Sequence, residues 1–252
     1  MAQVLGALLR RDMLTRFGRH NIGFLWLFAD PMLMIVTFTM AYAWVRGMNL
    51  VHGLNTTAFF LTGYSAIFMV RHTGSAPGKC IKANRCLMHH RNVRIMSVYL
   101  SAIILELLGG TIALLALGAA FVYLGWMDLP HDALKLLFGW AMVGWFGASL
   151  GLTVAPALAG DSPLFRRLWA LFMLAIFPLS GAMTMISWLP PGFQEVMYWM
   201  PMVHGVELMR EGYFGIGVHA HYDLAYMSFC CLVLTLVGMA LNRSVERNLR
   251  PE

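Results

Sequence analysis

Six stretches of the chain are apolar enough to be read as membrane-crossing helices: residues 24–45, 54–70, 97–124, 134–155, 168–187 and 224–241. A helix needs about 20 predominantly apolar residues to cross the hydrocarbon core. The pattern therefore predicts an all-α integral membrane protein with six transmembrane helices. The second stretch is short and carries Thr56, Thr57, Thr62 and Ser65, which predicts that it faces other helices or water rather than lipid. Ahead of the first stretch, Val4, Leu5, Leu8, Leu9, Met13 and Phe17 recur at near-helical spacing against Arg10, Arg11, Asp12 and Arg16. This predicts an amphipathic helix over residues 1–23 lying in the membrane interface. Residues 188–223 break the rhythm: three prolines and Glu195, Glu207, Arg210 and Glu211 are mixed with many aromatic and Met residues. That segment is too polar to cross a bilayer and too aromatic for a solvated loop. A pair of re-entrant helices satisfies both constraints, since non-helical backbone at membrane depth is tolerated only inside protein or beside a water-filled cavity. The chain then divides, within a single transmembrane domain over 1–252, into the interfacial helix at 1–23, spans one to five within 24–187, the re-entrant segment at 188–223, span six at 224–241 and a tail at 242–252.

Composition supports the membrane reading. The 252 residues are 59% hydrophobic and 12% charged, against about 25% charged in soluble domains. The N-terminus has no early apolar core followed by a small-residue cleavage site, so no cleavable signal peptide is expected. Charge then orients the helices. With both termini cytoplasmic, all but Arg46, Lys135 and Arg210 of the 18 Lys and Arg fall on the inner side, as the positive-inside rule requires. The net charge of +6 is thus charge of the cytoplasmic face and not a nucleic-acid footprint. Cys80 and Cys86 fall in the longest inner loop, Cys230 and Cys231 in the last span, and none suggests a disulfide framework.

Candidate chemistry is sparse. In the loop over residues 71–94, Gly74-Ser75-Ala76-Pro77-Gly78 is expected to break the helix. Residues 79–90 then form a short amphipathic helix, with Cys80, Ile81, Ala83, Leu87 and Met88 alternating with Lys82, Arg85, His89 and His90. Such a helix can dock in a groove of a soluble partner; a solvated basic loop is the plainer alternative. Gly74 to Lys79 is one residue short of a phosphate-binding loop and has Cys80 where Ser or Thr is needed. Cys80, Cys86, His89 and His90 match no standard zinc spacing. Asp30, beside Pro31 just inside the first span, is expected to pair or to lie near the inner headgroups. Glu106, inside the third span, is a functional candidate by position, although a structural pairing with a neighbouring helix also accounts for it. Gly147 to Gly151 forms a small-residue packing face, and Pro178 loosens the fifth span. Glu207 and Arg210 form an i,i+3 pair that either braces a helix or presents a cation to an acidic ligand. Tyr64, Trp188, Tyr198, Trp199 and Tyr213 could stack on sugar rings or form an interfacial belt.

Two motifs add a family likeness. Thr15-Arg16-Phe17-Gly18 followed by Ile22-Gly23, Trp26 and Pro31 resembles the N-terminal pattern of type-2 ABC exporter permeases. The block from Trp199 through Pro201, His204 and Glu207 to Arg210 and Glu211 resembles the capsular-polysaccharide branch of that family, and the likeness covers nearly the whole chain. Met200 departs from it, since the family has Asn or a similar polar residue there, so a capping contact is not expected at that point. The resemblance implies a multi-pass protein of the bacterial inner membrane, working as a homodimer with two copies of a separate ATP-binding subunit that holds ATP and Mg. It has no cofactor, metal or catalytic residues of its own. It implies an interfacial-helix motif at Arg16, Phe17 and Trp26, and an ATPase-coupling helix carrying Lys79, Cys80, Lys82, Ala83, Arg85, Leu87, Met88 and His89. It implies periplasmic re-entrant helices whose Trp188, Tyr198, Trp199, His204, Glu207, Arg210 and Tyr213, with Tyr64, line or gate the substrate path. The implied cargo is a lipid-linked, acidic capsular polysaccharide, handed to a periplasmic co-polymerase or adaptor that leads to an outer-membrane exporter. The rival readings are an O-antigen, lipid or drug exporter of the same permease type, a membrane-bound lipid- or sugar-modifying enzyme using Glu207 and His204, and a proton-coupled carrier.

Overall fold

A computed structural model describes residues 6–7, 9–11, 32–42, 44, 53–84, 95–160, 162–218 and 220–248. The described residues are helical throughout, with short turns between helices and no β-strand. In chain order the helices are α1 (Met32–Tyr42), α2 (Thr56–Asn84), α3 (Ile95–Tyr123), α4 (Ala133–Ala159), α5 (Pro163–Leu179), α6 (Pro191–Tyr198), α7 (Pro201–Phe214) and α8 (Leu224–Asn248). Among the described residues, α3, α4 and α8 are long and apolar enough to cross a membrane. Positions 6–7 and 9–11 are helical, as the N-terminal pattern predicts. Arg16, Phe17, Trp26 and Asp30 lie outside the described residues, as do Arg85, Leu87, Met88 and His89.

Helix α4 is the hub, with α2, α7 and α8 packed around it. Lipid tails are as apolar as leucine side chains, so helices associate in a membrane through close van der Waals contact and small residues at the crossing points. The predicted small-residue face supplies this. A Cβ on Gly147 would strike the Thr73 hydroxyl, and one on Gly151 would lie 2.5 Å from the Thr73 carbonyl oxygen. On the other side of α4, Gly139 faces Gly205 of α7, where an added Cβ would come within 2.9 Å of the Gly205 carbonyl oxygen. The backbones of α2 and α7 therefore lie almost on that of α4.

Every residue of α2 from Thr57 to Val70 is buried, so the second apolar stretch faces protein, as its hydroxyl-bearing residues predict. Thr62 and Thr73 satisfy their hydroxyls by donating to carbonyls one turn back, at 2.9 Å and 2.6 Å. The Phe38 ring of α1 lies against Phe60 and Tyr64 of α2 and Phe177 of α5, with centroids 5.9 to 6.3 Å apart.

Two sequence expectations are corrected. The helix does not break at 74–78: α2 runs unbroken from Thr56 to Asn84, with Pro77 inside it. Gly74 and Gly78 act there as packing residues. A Cβ on Gly74 would press on Met173 and Trp169, and one on Gly78 would strike Leu158. Tertiary contact outweighs the breaking tendency of Gly and the one hydrogen bond that Pro77 removes. Lys79 to Asn84 are thus the end of α2 and do not begin a separate helix.

The fifth apolar stretch does not run to residue 187. Helix α5 ends at Leu179 after 17 residues. Gly181 then takes a left-handed φ of +73°, a conformation that glycine adopts without steric cost. The chain continues without helix to Met185, whose backbone is extended, and into a single 3₁₀ turn, Ile186–Trp188. The last helix starts at Leu224 as expected but extends past 241 to Asn248. The side-chain amide of Asn242 pins it to α4 by donating to the Leu152 carbonyl at 2.8 Å.

The outward sides of α3, α5 and α8 carry exposed Leu108, Ile112 and Leu115, Leu168 and Leu171, and Phe229, Leu232 and Leu236. In α5 only Met173 and Ile176 are buried.

Candidate functional site

The N-termini of α2, α4 and α8 gather around α7, each capped by a short polar side chain. The Asn55 side-chain oxygen Oδ1 accepts from the backbone N–H groups of Thr57 and Ala58 at 3.1 and 3.2 Å. Asp132 accepts from Leu134 and Lys135, both at 3.0 Å, and Asp223 from Ala225 and Tyr226 at 2.9 and 3.0 Å. Such caps satisfy the orphan donors of a first helical turn.

Helix α7 itself starts with Pro201 in its first turn and Met200 at its cap, with no side-chain capping bond, as the departure at Met200 predicts. Its far end is closed from outside. The N–H groups of His131 and Asp132 donate to the carbonyls of Tyr213 and Gly212 at 3.0 and 2.7 Å. The Tyr213 hydroxyl donates to the Asp128 carbonyl. The end of α7 and the entry to α4 thereby form one hydrogen-bonded corner.

At the centre of this region Arg210 is fully buried, with 0% of its surface exposed. Its guanidinium donates to the backbone carbonyls of Ala182 and Thr184 at 2.8 and 2.9 Å. It lies 3.8 Å over the Phe59 ring and 3.9 Å from the equally buried Glu207 carboxylate. The Arg210 Nε is left without a partner. Glu207 in turn accepts from the N–H groups of Ile186 at 3.2 Å and His221 at 3.4 Å. The pair therefore holds both stretches of chain that flank α6 and α7, and the carbonyls of Ala182 and Thr184 are turned toward Arg210. Trp188 completes the cluster by stacking on Phe59 at 5.1 Å.

His204 is also fixed to backbone. Its Nδ1 accepts from the Asp223 N–H at 3.0 Å, while Nε2 faces the Tyr198 carbonyl at 3.0 Å. An acceptor at Nδ1 and a donor at Nε2 define a neutral imidazole protonated at Nε2. The second ion pair lies nearer the surface, with Lys135 Nζ 2.7 Å from Glu211. Burial alone would raise the Glu211 pKa, but hydrogen bonds from Lys135 and Tyr222 and the Lys135 charge outweigh it and hold the carboxyl below its ordinary range. For Tyr222, burial first and then its bond to Glu211 push the phenol up.

The predicted site residues therefore separate into two groups. Tyr64, His204, Glu207, Arg210 and Tyr213 are buried, and Trp188 and Tyr198 are half-buried. Trp199 stands apart at 77% exposed, and with Phe193 at 65% it gives α6 an apolar outward side. Phe59 and the carbonyls of Ala182 and Thr184 are absent from the sequence-derived set, since nothing local marks them. The pairing of Glu106 with a neighbouring helix is found: its carboxylate lies 3.4 Å from His72 Nδ1 on α2. Among the described residues no group of His, Cys, Asp and Glu is placed to hold a metal ion, and Cys80, Cys230 and Cys231 are free thiols. The polar atoms of His204 and the carboxylate oxygens of Glu207 are engaged by backbone groups, an arrangement that braces a fold and presents no nucleophile–base pair.

These features define an all-helical protein with three helices long and apolar enough to cross a membrane among the described residues, in which an ion-paired insert is held between α5 and α8. Residues 3–214 match the ABC-2 type transporter family, and the chain belongs to that family. Along 99% of its length it is 37% identical to the capsule polysaccharide export inner-membrane protein CtrC of Neisseria meningitidis serogroup B, covering 94% of that protein. It is 34% identical, with the same coverage, to the capsule polysaccharide export inner-membrane protein BexB of Haemophilus influenzae. The polysialic acid transport protein KpsM of Escherichia coli is more distant, at 25% identity over 95% of this chain and 92% of KpsM.

Proposed function

We propose that the chain is the transmembrane subunit of an ATP-driven exporter that moves a lipid-linked, acidic capsular polysaccharide from cytoplasm to periplasm across the bacterial inner membrane. The observation that carries this reading is its 34–37% identity, over 99% of its length, to proteins named for capsule polysaccharide export at the inner membrane. ATP hydrolysis belongs to a separate ATP-binding subunit. The exporter contains two copies of this chain and two of the ATPase, and a periplasmic adaptor leads onward to an outer-membrane exporter. The chain crosses the membrane six times with both termini inside, and α6 and α7 form the periplasmic re-entrant pair. Support for that orientation comes from the charge count and from the corner it creates: Arg210 and Lys135, two of the three cations left outside, are both paired with carboxylates of α7. The coupling element is the end of α2 from Lys79 onward together with the residues that follow to position 90. Tyr64, Trp188, Tyr198, Trp199, His204, Glu207, Arg210 and Tyr213 belong to the gate region, with the buried ones holding it and Trp199 facing outward.

The test is deletion of the gene in its own host. The expected result is loss of surface capsule, accumulation of polymer inside the cell, and rescue by the intact gene. Normal surface polymer in the deletion strain would overturn the proposal. Copurification in mild detergent then reports the partners: an ATPase and a periplasmic protein should accompany the tagged chain.

A further inference from the structure

The end of α2 opposite the Arg210 cluster carries a second polar feature, separate from the gate region. Where α2 passes α5 there is a cavity of about 250 Å³. One wall is a stripe of α2: Phe68, His72, Ser75 and Lys79 recur at three- and four-residue intervals, with Arg71 beside them, and Trp169 of α5 stands opposite. The stripe is fixed from behind and across. The His72 ring stacks on Phe68 with centroids 4.0 Å apart, and Glu106, which does not line the cavity, holds His72 at 3.4 Å. The Trp169 indole N–H donates to the Ser75 hydroxyl at 3.2 Å, closing the stripe onto α5. Arg71 and Lys79 are exposed, about 12 Å apart along the helix axis at 1.5 Å per residue. Among the described residues neither meets a carboxylate, whereas Arg210 and Lys135 at the other end of the molecule both do.

We propose that this cavity binds the phosphate headgroup of an anionic lipid at the cytoplasmic surface, its acyl chain running along the outer side of α5. Three observations converge on that chemistry. Arg and Lys on one stripe offer a planar fork and a point charge, the groups that recognise phosphate oxygens. Beside His72 and Ser75, the remaining wall is made by Phe68, Trp169, Ala170 and Met173, an aromatic and apolar part that suits the glycerol and upper acyl part of a lipid. Immediately outside, α5 exposes Leu168, Leu171, Phe172 and Leu174, a ready track for a hydrocarbon chain. The volume lies just under the ~300–1,000 Å³ of pockets that enclose whole small molecules, so it fits a headgroup and excludes a polymer segment. The placement at the inner surface rests on the topology proposed above. A phosphate-bearing lipid held there is either a bilayer lipid or the lipid end of the cargo, which share this chemistry.

The test measures lipid retention by the purified full chain with native mass spectrometry, in dodecyl maltoside micelles titrated with phosphatidylglycerol. The comparison is between wild type, Arg71→Gln/Lys79→Gln, and Arg166→Gln/Arg167→Gln, which removes the same charge nearby but outside the cavity. Wild type should retain phosphatidylglycerol in preference to phosphatidylcholine. The cavity variant should bind it about tenfold more weakly and the control within about twofold of wild type. Millimolar inorganic phosphate should fail to displace the lipid. Equal retention by wild type and the cavity variant overturns the site. An equal loss in the control reduces it to general surface attraction and also overturns it. Displacement by inorganic phosphate overturns the lipid assignment. Because binding is read without export, failure here is distinguishable from failure of the exporter reading. Export assayed in cells carrying Arg71→Gln alone, which leaves the coupling residues from Lys79 onward intact, separates the sources: lost export with intact insertion identifies the cargo's lipid end, and unchanged export identifies a bilayer lipid.

Discussion

Replacing Arg210 by Met removes the guanidinium while keeping a long apolar side chain. What remains is a carboxylate at Glu207 with 0% exposure, two carbonyls at Ala182 and Thr184 stripped of their donors, and a Phe59 ring without its cation. Breaking a buried ion pair by removing one partner costs about 3–5 kcal/mol. Each unsatisfied carbonyl would add about 1–3 kcal/mol, but these terms are largely cancelled because the non-helical segment at 182–185 is free to move once released. The expected net loss is about 3–5 kcal/mol. Arg210→Lys keeps the charge but cannot reach two carbonyls with a planar fork, and should lose about 1–3 kcal/mol. The double variant Arg210→Met/Glu207→Gln removes both charges, so the two losses should fall short of additive by about 1–3 kcal/mol. Denaturation in mixed micelles of dodecyl maltoside and sodium dodecyl sulfate, followed by tryptophan fluorescence, measures wild type, the two Arg210 variants, Glu207→Gln and the double variant. Arg210→Met within 1 kcal/mol of wild type, with export abolished, would refute the bracing argument and make the guanidinium a contact for cargo.

Gly151→Leu forces a side chain into the 2.5 Å gap between α4 and the Thr73 carbonyl. Overpacking of this kind costs about 1–3 kcal/mol, and an unchanged melting temperature would contradict the close approach of α2 and α4. Glu211 has a folded pKa below its unfolded value, through Lys135 and Tyr222 acting against burial. Its contribution is therefore whole above the unfolded value of about 4.3 and disappears as pH falls through the lower folded value. Glu211→Gln should melt below wild type at neutral pH, with the difference closing on acidification below about 4; a pH-independent difference would count against the Lys135–Glu211 contact. Replacing residues 82–90 with a Gly/Ser linker should abolish export while leaving membrane insertion and expression intact, measured by surface capsule and by membrane fractionation; continued export would sink the coupling assignment.

Legibility in the sequence followed the range of the interactions concerned. Helices α3, α4 and α8 start within two residues of the expected positions because long apolar runs with Asp132 and Asp223 ahead of two of them are local signals. The Glu207–Arg210 pair is visible at i,i+3. The two errors arise where a distant contact decides. Ala182 to Met185 is as apolar as a helix, yet it is not helical, and the Ala182 and Thr184 carbonyls instead accept from Arg210, 28 residues away from Ala182. Gly74 to Gly78 has the composition of a break, yet it is helical because Trp169, Met173 and Leu158 occupy the space that side chains would otherwise need. Neither residue set carries a local mark of its partner. The motif at Arg16, Phe17 and Trp26, and the coupling residues from Arg85 onward, lie outside the described residues.

The unbroken course of α2 has a mechanical consequence. Its 29 residues make a rod about 43 Å long at 1.5 Å per residue. Phe59 sits near one end, under the guanidinium of the gate region, and Lys79 to Asn84 form the other. Under the topology and coupling role proposed above, a lever of this length would carry a lateral shove at its cytoplasmic tip to the opposite tip. Its fulcrum is where Thr73 and Gly74 press on Gly147 and Gly151. Pro77, a few residues beyond that fulcrum toward Asn84, removes one backbone hydrogen bond from the rod. Under the proposed coupling, motor and gate would need no chain of side-chain messengers between them, because one helix would join the two.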